Sequence, residues 1–440
     1  MNILIIKLIS WLGLAIIFIA CSNSELTGPD NEYLTGKKSN TSSATDIFFN
    51  EYLPLNDTEY PYTGIPRIVI ETESHQAIRS RETNVNAKLQ IWGESTPESN
   101  VMELTIRGRG NTSWEEMPKK SYKIEFFNKQ AILGMPQNKD WALIANYADK
   151  TLIKNFLAYE LAQRINLGYT PKSRFIELFL NQEYLGVYQI VETIKQGNQR
   201  VNISSNGFLA EFDVKSRNND LTFETISGKT IKVHYPKDSE NVHNLKEHLD
   251  SLELFLEQEF PQKSDSIEKW LNLDIFAKHF WIQEFSKNPD AYYYTSVFFS
   301  WEPGNAIKIG PVWDFDLAFG GHEKSDYREP SNWRTIGSYW NKYLFKDSSF
   351  KSNVFNYWVH MKDEFLSSFE IIDSCYMKLK NPAINNFKRW DVLSDTSNRW
   401  HPYSFHSYEE SLDSLKQWIS NRIEWIDKQV LNFEAPSNRL

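Results

Sequence analysis

Apolar and polar residues alternate along several segments in the first half of the chain, as they do in strands that bury one face. In the segment 119–127, Tyr122, Ile124 and Phe126 share one face, so Lys123 lies on the other. The alternation predicts strands at 67–72, 87–92, 102–110, 119–127, 173–181 and 183–194, the last two forming a hairpin.

Apolar residues spaced three and four apart predict helices in two other regions. One helix covers 149–168, where Asp149 is a suitable N-cap and Gly168 a suitable end. Residues 243–287 contain two further helical stretches, and Asp265 is a candidate N-cap for the second of them. The predicted order is therefore strands, one helix, two strands and then helices.

A second hairpin is predicted between 291–301 and 306–313. The connecting residues are Glu-Pro-Gly-Asn, with Pro and Gly at the central positions that a type II turn prefers. Antiparallel pairing about this turn places Asp290 opposite Asp316 and close to Asp314. Three carboxylates are thus expected to meet at the open end of one hairpin.

Carboxylates set among aromatic residues, as in "GPVWDFDLAFGG" at 310–321, need a partner that offsets the cost of burying their charge. Oxygen ligands select hard cations, so a Mg²⁺ or Mn²⁺ ion held by Asp314 and Asp316 is the favoured interpretation. The alternative is that Asp316 caps a helix beginning at Leu317 and that Asp290 caps a turn.

Glu160 is the other carboxylate whose position raises a question. It shares a helix face with Ile153, Phe156 and Leu157. It therefore either pairs with a cation or lies at the edge of that face, where solvent reaches it. Lys123 is the nearest strand residue expected to point away from the core. The two interpretations, a Lys123–Glu160 pair and a solvated Glu160, both stay open at this stage.

The N-terminus predicts export. Residues 1–21 place one Lys before an apolar run that ends at Ala20-Cys21, as in a bacterial lipoprotein signal peptide whose cysteine is lipidated. Residues 22–60 are polar and aperiodic, which predicts a flexible tether. The expected location is the cell envelope, at the outer membrane or cell surface, with the chain anchored by Cys21 and not spanning the membrane.

Composition narrows the class of protein. The chain has 440 residues, of which 41% are apolar, enough for a globular domain at about 61–433 with a substantial core. Its net charge of -9 argues against general nucleic-acid binding, since no basic stripe offsets the acidic balance.

The layout of a helix, a loop with a lone Asp, a short hairpin and a further Asp is also found in protein kinases. Six motifs in this order resemble the spore-coat-protein-H (CotH) kinase family: "RGRGNTSW", "KKSYKIEF", "ANYADKTLIKNFLAYELA", "FIELFLNQEYLGVYQIVETI", "NPDAYYYTSVFF" and "GPVWDFDLAFG". The resemblance covers about residues 65–430. It implies an α+β, atypical kinase-like fold in two lobes: a β-rich N-terminal lobe with one helix (61–195) and a mainly helical C-terminal lobe (196–433).

The resemblance also implies an activity, in which the γ-phosphate of ATP passes to Ser or Thr of a secreted or surface protein with the help of Mg²⁺ or Mn²⁺. Asp290 matches the family's catalytic aspartate. Asp314 matches its metal-binding aspartate, and Asp316 would support it. By analogy with kinases generally, Lys123 and Glu160 would form the ion pair that anchors the phosphates.

Other residues compete for the phosphate-anchoring role or depart from the kinase pattern. The competing cations are Lys120, Lys150, Lys154, Arg107 and Arg109. "RGRGN" is not the kinase glycine-rich loop, and Thr295 stands where kinases carry their second metal ligand. Either Asn288 fills that place or only one metal ion is bound. The alternative functions are a non-catalytic surface lipoprotein that binds a carbohydrate or protein, and a glycosidase that uses paired carboxylates without a metal.

Overall fold

The computed structural model describes residues 55–94, 96–217, 219–238, 240–397 and 399–434. The predicted signal peptide, its lipidated Cys21 and nearly all of the predicted tether therefore lie outside the described residues, and so does the C-terminal end of the chain.

Seven strands near the N-terminus form a closed barrel. They are β1 (Arg67–Thr72), β2 (Val85–Trp92), β3 (Met102–Arg109), β4 (Ser121–Ile132), β5 (Met135–Ile144), β6 (Ser173–Leu180) and β7 (Glu183–Glu192). Their order around the barrel is β1-β2-β3-β4-β5-β7-β6, and the parallel pairing of β6 with β1 closes it. The alternating apolar side chains fill the interior, where Leu104, Ile124 and Trp141 are fully buried.

All six predicted strands of this region are confirmed, with shifted ends. The turn between β6 and β7 lies at Asn181 and Gln182, which both have the positive φ that a tight hairpin turn needs (50° and 69°). Strand β5 was not predicted, because its first six residues are mostly polar and only Trp141–Ile144 form an apolar run.

A second sheet of five strands follows, in the order β12-β11-β8-β10-β9. Its strands are β8 (Phe208–Phe212), β9 (Thr222–Glu224), β10 (Thr230–Tyr235), β11 (Val297–Trp301) and β12 (Lys308–Ile309). The predicted hairpin is therefore real but short: only Phe299 with Ile309 and Ser300 with Lys308 are paired. Residues 291–296 are not a strand, because Tyr293 and Ser296 take positive φ values of 55° and 59°.

The remaining elements are helices. They are α1 (Thr112–Glu115), α2 (Lys154–Arg164), α3 (Val242–Gln258), α4 (Leu273–Ser286), α5 (Ser325–Arg328), α6 (Asn341–Leu344), α7 (Ser348–Leu366), α8 (Ser368–Arg389) and α9 (Tyr408–Glu434). None of the helices in the described part of the chain combines the length and the apolar character that crossing a bilayer requires.

Two of the predicted helix caps differ from the observed ones. Asp265 lies inside a short 3₁₀ helix, and α4 is capped by Asn272, whose side chain accepts a hydrogen bond from the Ile275 N–H at 3.0 Å. Asp149 precedes α2 by five residues, yet its carboxylate accepts from the Lys154 N–H at 2.9 Å and so still satisfies a free donor of the first turn. The mixed α/β architecture is confirmed, with a β-rich N-terminal and a helical C-terminal region; the kinase-like arrangement stays a prediction.

A buried ion pair fixes the end of α4 to α9. The guanidinium of Arg422 lies 2.7 Å from the carboxylate of Glu284, and both side chains are fully buried. Glu284 also accepts hydrogen bonds from the backbone N–H groups of Arg334 and Thr335, each at 2.6 Å. Arg334 in turn donates to the carbonyl of Pro289 at 3.0 Å, so the network holds the segment that follows α4 from two sides.

Replacing Arg422 with Met is expected to lower the free energy of unfolding by about 3–5 kcal/mol, because Glu284 would keep a buried charge without a counter-ion. Denaturant unfolding of the variant and the wild type measures this difference. Lys428→Met on the same helix removes an exposed pair with Glu424 and should change stability by less than about 0.5 kcal/mol. Equal losses in the two variants would contradict the assignment.

Candidate active site

A large cleft lies between the outer face of the barrel and the second sheet, with a volume of about 1920 Å³ that opens to solvent. Asp314 lies at its wall. The cations that line it are Arg107, Arg109, Lys123, Lys195, Lys215, Arg217, Lys232 and Lys237, and the carboxylates are Glu125, Asp140, Glu211, Asp213, Asp220 and Asp314. Cations thus outnumber carboxylates here, although the whole chain carries a net charge of -9.

The backbone holds Asp314 in an uncommon conformation. Its φ is 67°, in the left-handed region where Asp and Asn are tolerated better than most other residues. Two asparagines fix the peptide: the Asn288 amide donates to the Asp314 carbonyl at 3.2 Å, and Asn155 accepts from the Phe315 N–H at 2.7 Å. A residue held in this way at a cleft wall is typical of a functional site.

Asp290 follows α4 in a short turn. The side chain of Asn288 accepts a hydrogen bond from the Asp290 N–H at 3.1 Å, so Asn288, and not Asp290, caps this turn. Both ends of the Asn288 amide are thereby used, one on Asp290 and one on Asp314. Asn288 therefore positions the two aspartates relative to each other, and its place as a second metal ligand stays a prediction.

The three predicted aspartates lie close enough to perturb one another. Burial, with repulsion from Asp314 and Asp316, raises the pKa of Asp290 well above its usual value. Burial also raises the pKa of Asp314, against the opposing effect of the Arg109 guanidinium. Clustered carboxylates with raised pKa values indicate a site that binds a cation or transfers a proton.

Asp316 differs from the other two. Burial, together with repulsion from Asp314 and Asp149, raises the pKa of Asp316 to about 7. The ammonium of Lys154 opposes this shift. Lys154 lines a different pocket, on the side of α9, where Asp314 is absent from the lining. In the described part of the chain no helix begins at Leu317, so the alternative in which Asp316 caps such a helix does not hold. A supporting role through Lys154 fits the surroundings of Asp316.

Arg109 and Trp313 form the deep wall of the cleft. The guanidinium lies 4.7 Å from the centre of the Trp313 ring, which is stacked in turn on Tyr159 of α2. Burial lowers the pKa of Arg109, although Asp314 opposes the shift. Arg107 lines the same cleft, but its guanidinium also donates to the carbonyl of Arg81. Arg109 is thus the cation that acts most strongly on Asp314, and Lys215 acts on it as well.

The predicted Lys123–Glu160 pair is not formed. Lys123 lies in the cleft with its ammonium 2.8 Å from the Asp140 carboxylate and 3.5 Å from that of Glu125. Glu160 is half-buried on α2, which packs against α8. Its charge there adds to the effect of burial, which raises the pKa of Cys375 to about 12. The prediction was wrong because β5, which supplies Asp140, was not recognised beside β4.

Three of the competing lysines interact with groups outside the cleft. Lys120 donates to the carbonyl of Trp114 at 2.5 Å. The Lys150 ammonium donates to three carbonyls, at 2.6 to 3.0 Å. Lys154 is buried beside Asp149 and Asp316. None of them lines the cleft that contains Asp314.

Lysines that the sequence analysis passed over surround Lys123. Lys195 pairs with Asp140, and Lys232 lies 2.8 Å from Asp220. Burial, together with repulsion from Lys123, Lys232 and Lys195, lowers the pKa of Lys237. Ammonium groups that repel one another at a cleft wall favour the binding of a multivalent anion.

Glu211 and Asp213 of the second sheet are the other functional candidates that sequence reasoning missed. Glu211 lies 2.8 Å from the His234 ring nitrogen and accepts a hydrogen bond from the Ser296 N–H at 3.0 Å. Asp213 accepts from the Thr295 hydroxyl at 2.9 Å. The sequence does contain a signal for them, because two carboxylates lie within the apolar run "FLAEFD" at 208–213. Like Asp314, they need a partner that offsets the cost of burying a charge.

The predicted metal site stays a prediction. Within residues 55–434, as far as they are described, no three His, Cys, Asp or Glu side chains are placed to hold a metal ion together. Magnesium, however, is often bound by one or two carboxylates with substrate phosphates and water completing its shell. Asp314, beside a cation-rich cleft, fits that kind of site and does not fit a metal cage made of protein alone.

Two comparisons with known proteins bear on these features. A comparison with curated proteins found no significant match. The family model described as CotH kinase protein matches residues 106–426, from β3 to α9, and so includes every residue that lines the cleft, together with Asp290. Because this match extends over most of the sequence, the chain belongs to the CotH kinase family.

Proposed function

We propose that this protein is a metal-dependent kinase that transfers the γ-phosphate of ATP to a Ser or Thr hydroxyl of an extracytoplasmic protein. The observation that supports it best is the pair of half-buried aspartates, Asp290 and Asp314, which repel each other and of which Asp314 lines a cleft rich in cations. Membership of the CotH kinase family supports the same class of activity.

The cleft suits the phosphates of a nucleotide. ATP with a divalent metal would supply the phosphoryl group and the charge that neutralises its oxygens. Arg109 lies beside Asp314 at the deep wall, and Lys123, Lys195, Lys232 and Lys237 cluster elsewhere on the lining. Arg109 would bind phosphate oxygens close to Asp314, and the clustered lysines would hold the rest of the anion.

The two aspartates would then have different roles. Asp290 lies in the turn that Asn288 fixes, and it would orient the acceptor hydroxyl and receive its proton. Asp314 would bind the metal, with its backbone held by Asn288 and Asn155 so that the carboxylate needs little reorganisation.

Incubating the purified full-length protein, in detergent, with labelled ATP, Mg²⁺ or Mn²⁺ and a Ser-rich protein acceptor tests the function. Metal-dependent transfer of label to the acceptor is the expected result. Nucleotide binding without transfer to any acceptor, or no nucleotide binding with either metal, would instead support the alternative, a surface lipoprotein of the same fold that binds a carbohydrate or protein ligand.

Lys123→Ala is expected to weaken nucleotide binding about tenfold without unfolding the protein, because its ammonium belongs to the anion-binding cluster and is not part of the core. Calorimetric titration with ATP and Mg²⁺ measures the affinity. Lys139→Ala, an exposed position on β5 outside the cleft, is the matched control. Unchanged affinity in a folded Lys123→Ala protein would assign the anchoring role to the other cleft lysines.

The location is also part of the proposal. The apolar run that ends at Ala20-Cys21 supports a lipid anchor at Cys21 in the cell envelope. Fractionation of cells that produce Cys21→Ala should show the protein released from the membrane fraction. Retention of this variant in membranes would rule out the anchor.

A further inference from the structure

A second pocket is lined by Tyr292, which follows Asp290 by two residues. Together with the solvent at its mouth it encloses about 670 Å³, and its lining includes Lys229, Tyr292, Tyr339, Lys342 and Tyr343. We call it the tyrosine–lysine pocket. The turn before β10, the Asp290 turn and α6 contribute these residues, so the pocket is assembled from segments far apart in the sequence.

The pocket is rigidly connected to Asp290. Tyr292 follows Asp290 by two residues, so their Cα atoms are at most about 7 Å apart. The Tyr292 hydroxyl donates to the Gly337 carbonyl at 3.2 Å, and the Arg334 guanidinium lies 4.7 Å from the centre of its ring. Arg334 also holds the carbonyl of Pro289, so the turn and the pocket wall are fixed by the same side chain.

The charge of the pocket is positive. Lys229, Lys342 and the neighbouring Lys346 make no ion pair with any described carboxylate. Lys229 lies 5.0 Å from the ring centre of Tyr339, and Lys342 lies 4.6 Å from that of Tyr343. These cation–π contacts hold the ammonium groups in place without neutralising them.

Glu253 is the one carboxylate in the pocket lining, and its oxygen atoms already accept hydrogen bonds. It accepts hydrogen bonds from the Tyr339 hydroxyl and from the Ser227 N–H, the latter at 2.9 Å, and only 4% of its surface is exposed. Glu253 shapes the wall and its charge acts on Lys229, whereas no described carboxylate pairs with Lys342 or Lys346, which are therefore the lysines available to a ligand.

Exposed apolar side chains surround the pocket. Tyr292 and Tyr294 are 42% and 48% exposed, Ile226 next to the pocket residue Ser227 is 57% exposed, and Val214, whose N–H bonds to the Tyr294 carbonyl, is 42% exposed. Aromatic and aliphatic groups around a few charged ones are typical of a surface that binds a polypeptide.

We propose that the tyrosine–lysine pocket binds a segment of the acceptor protein that carries carboxylates close to the phosphorylated residue. This inference rests on the proposed kinase function, and it names the class of acceptor: Ser or Thr in an acidic context. The lysines would bind the carboxylates, the tyrosines would cover the segment's apolar groups, and the hydroxyl would reach Asp290 a few residues away. A basic segment would meet like charge and be disfavoured.

The test measures peptide binding by fluorescence anisotropy with the full-length protein in detergent and without nucleotide. Three labelled peptides share one central Ser and differ only in flanking residues, which are Glu, Gln or Lys. The Glu peptide is expected to bind at least about tenfold more tightly than the Lys peptide, and added salt should narrow the difference. The variant Lys342→Glu/Lys346→Glu should weaken Glu-peptide binding about tenfold or more.

Lys380→Glu, on the exposed face of α8, makes one of the same charge reversals outside the pocket and should leave the peptide affinities unchanged. Equal binding of the three peptides, no binding of the Glu peptide, or a pocket variant that binds it as the wild type does would overturn the inference. Because the readout is binding without ATP, these outcomes are distinct from a failure of phosphoryl transfer.

Discussion

Asp290→Asn is expected to stop phosphoryl transfer, with a loss of at least about 10³-fold, and to leave nucleotide binding unchanged. The amide cannot take the proton of the acceptor hydroxyl, and general-base catalysis contributes about 10²–10⁴-fold. Folding should survive, because burial and repulsion from Asp314 already disfavour the Asp290 anion and the neutral amide relieves that repulsion. Initial rates of label transfer and calorimetric titration with ATP measure the two quantities on one protein preparation.

Asp265→Asn is the control for this variant, since Asp265 is exposed in a 3₁₀ helix that does not contribute to the cleft. Transfer by Asp290→Asn at more than about a tenth of the wild-type rate would assign the base to another group. Glu211 would be the first candidate, because its charge acts on both Asp290 and Asp314.

Asp314→Asn is expected to remove the metal dependence of nucleotide binding. In the wild type, Mg²⁺ or Mn²⁺ should strengthen ATP binding. At saturating metal, the affinity of the variant for ATP should be at least about 100-fold lower, because the loss of even an outer-shell partner of a metal lowers metal affinity about 10–100-fold. Asparagine keeps two properties of the native residue: it tolerates the φ of 67°, and it fits the same space. The loss would therefore report on charge and not on strain.

Titration of ATP with and without metal, for the wild type and Asp314→Asn, gives this result directly. Asp413→Asn, an exposed position on α9, controls for a general change in charge. If Asp314→Asn still binds ATP more tightly when metal is added, then the metal is held by other groups, and the assignment of Asp314 is wrong.

The alternating pattern was sufficient to find six of the seven barrel strands, because a barrel buries one face of each strand and leaves the alternation visible. It failed for β5, because the residues between Met135 and Trp141 are one proline and four polar residues, so the first half shows no apolar alternation. That omission had a chemical consequence, since β5 supplies Asp140, the partner of Lys123. A missing strand thus produced a wrong ion pair.

The sequence also predicted that Asp290, Asp314 and Asp316 would meet, although the reason was partly wrong. An extended hairpin was expected to align them, whereas the structure brings Asp290 in on a turn that Asn288 ties to Asp314. The lysines of the cleft could not have been predicted from local patterns. Lys123 comes from the barrel and Lys232 from the second sheet, and only the tertiary fold brings them together.

The way the two sheets end has a consequence for association between molecules. The barrel closes on itself through β1 and β6, and the outer strands of the second sheet, β12 and β9, have only two and three residues. Long unpaired strand edges act as templates on which another chain can add and begin to aggregate. Copies of a lipid-anchored protein, as proposed here, would meet at high local concentration, and edges this short give a neighbouring chain little backbone to pair with.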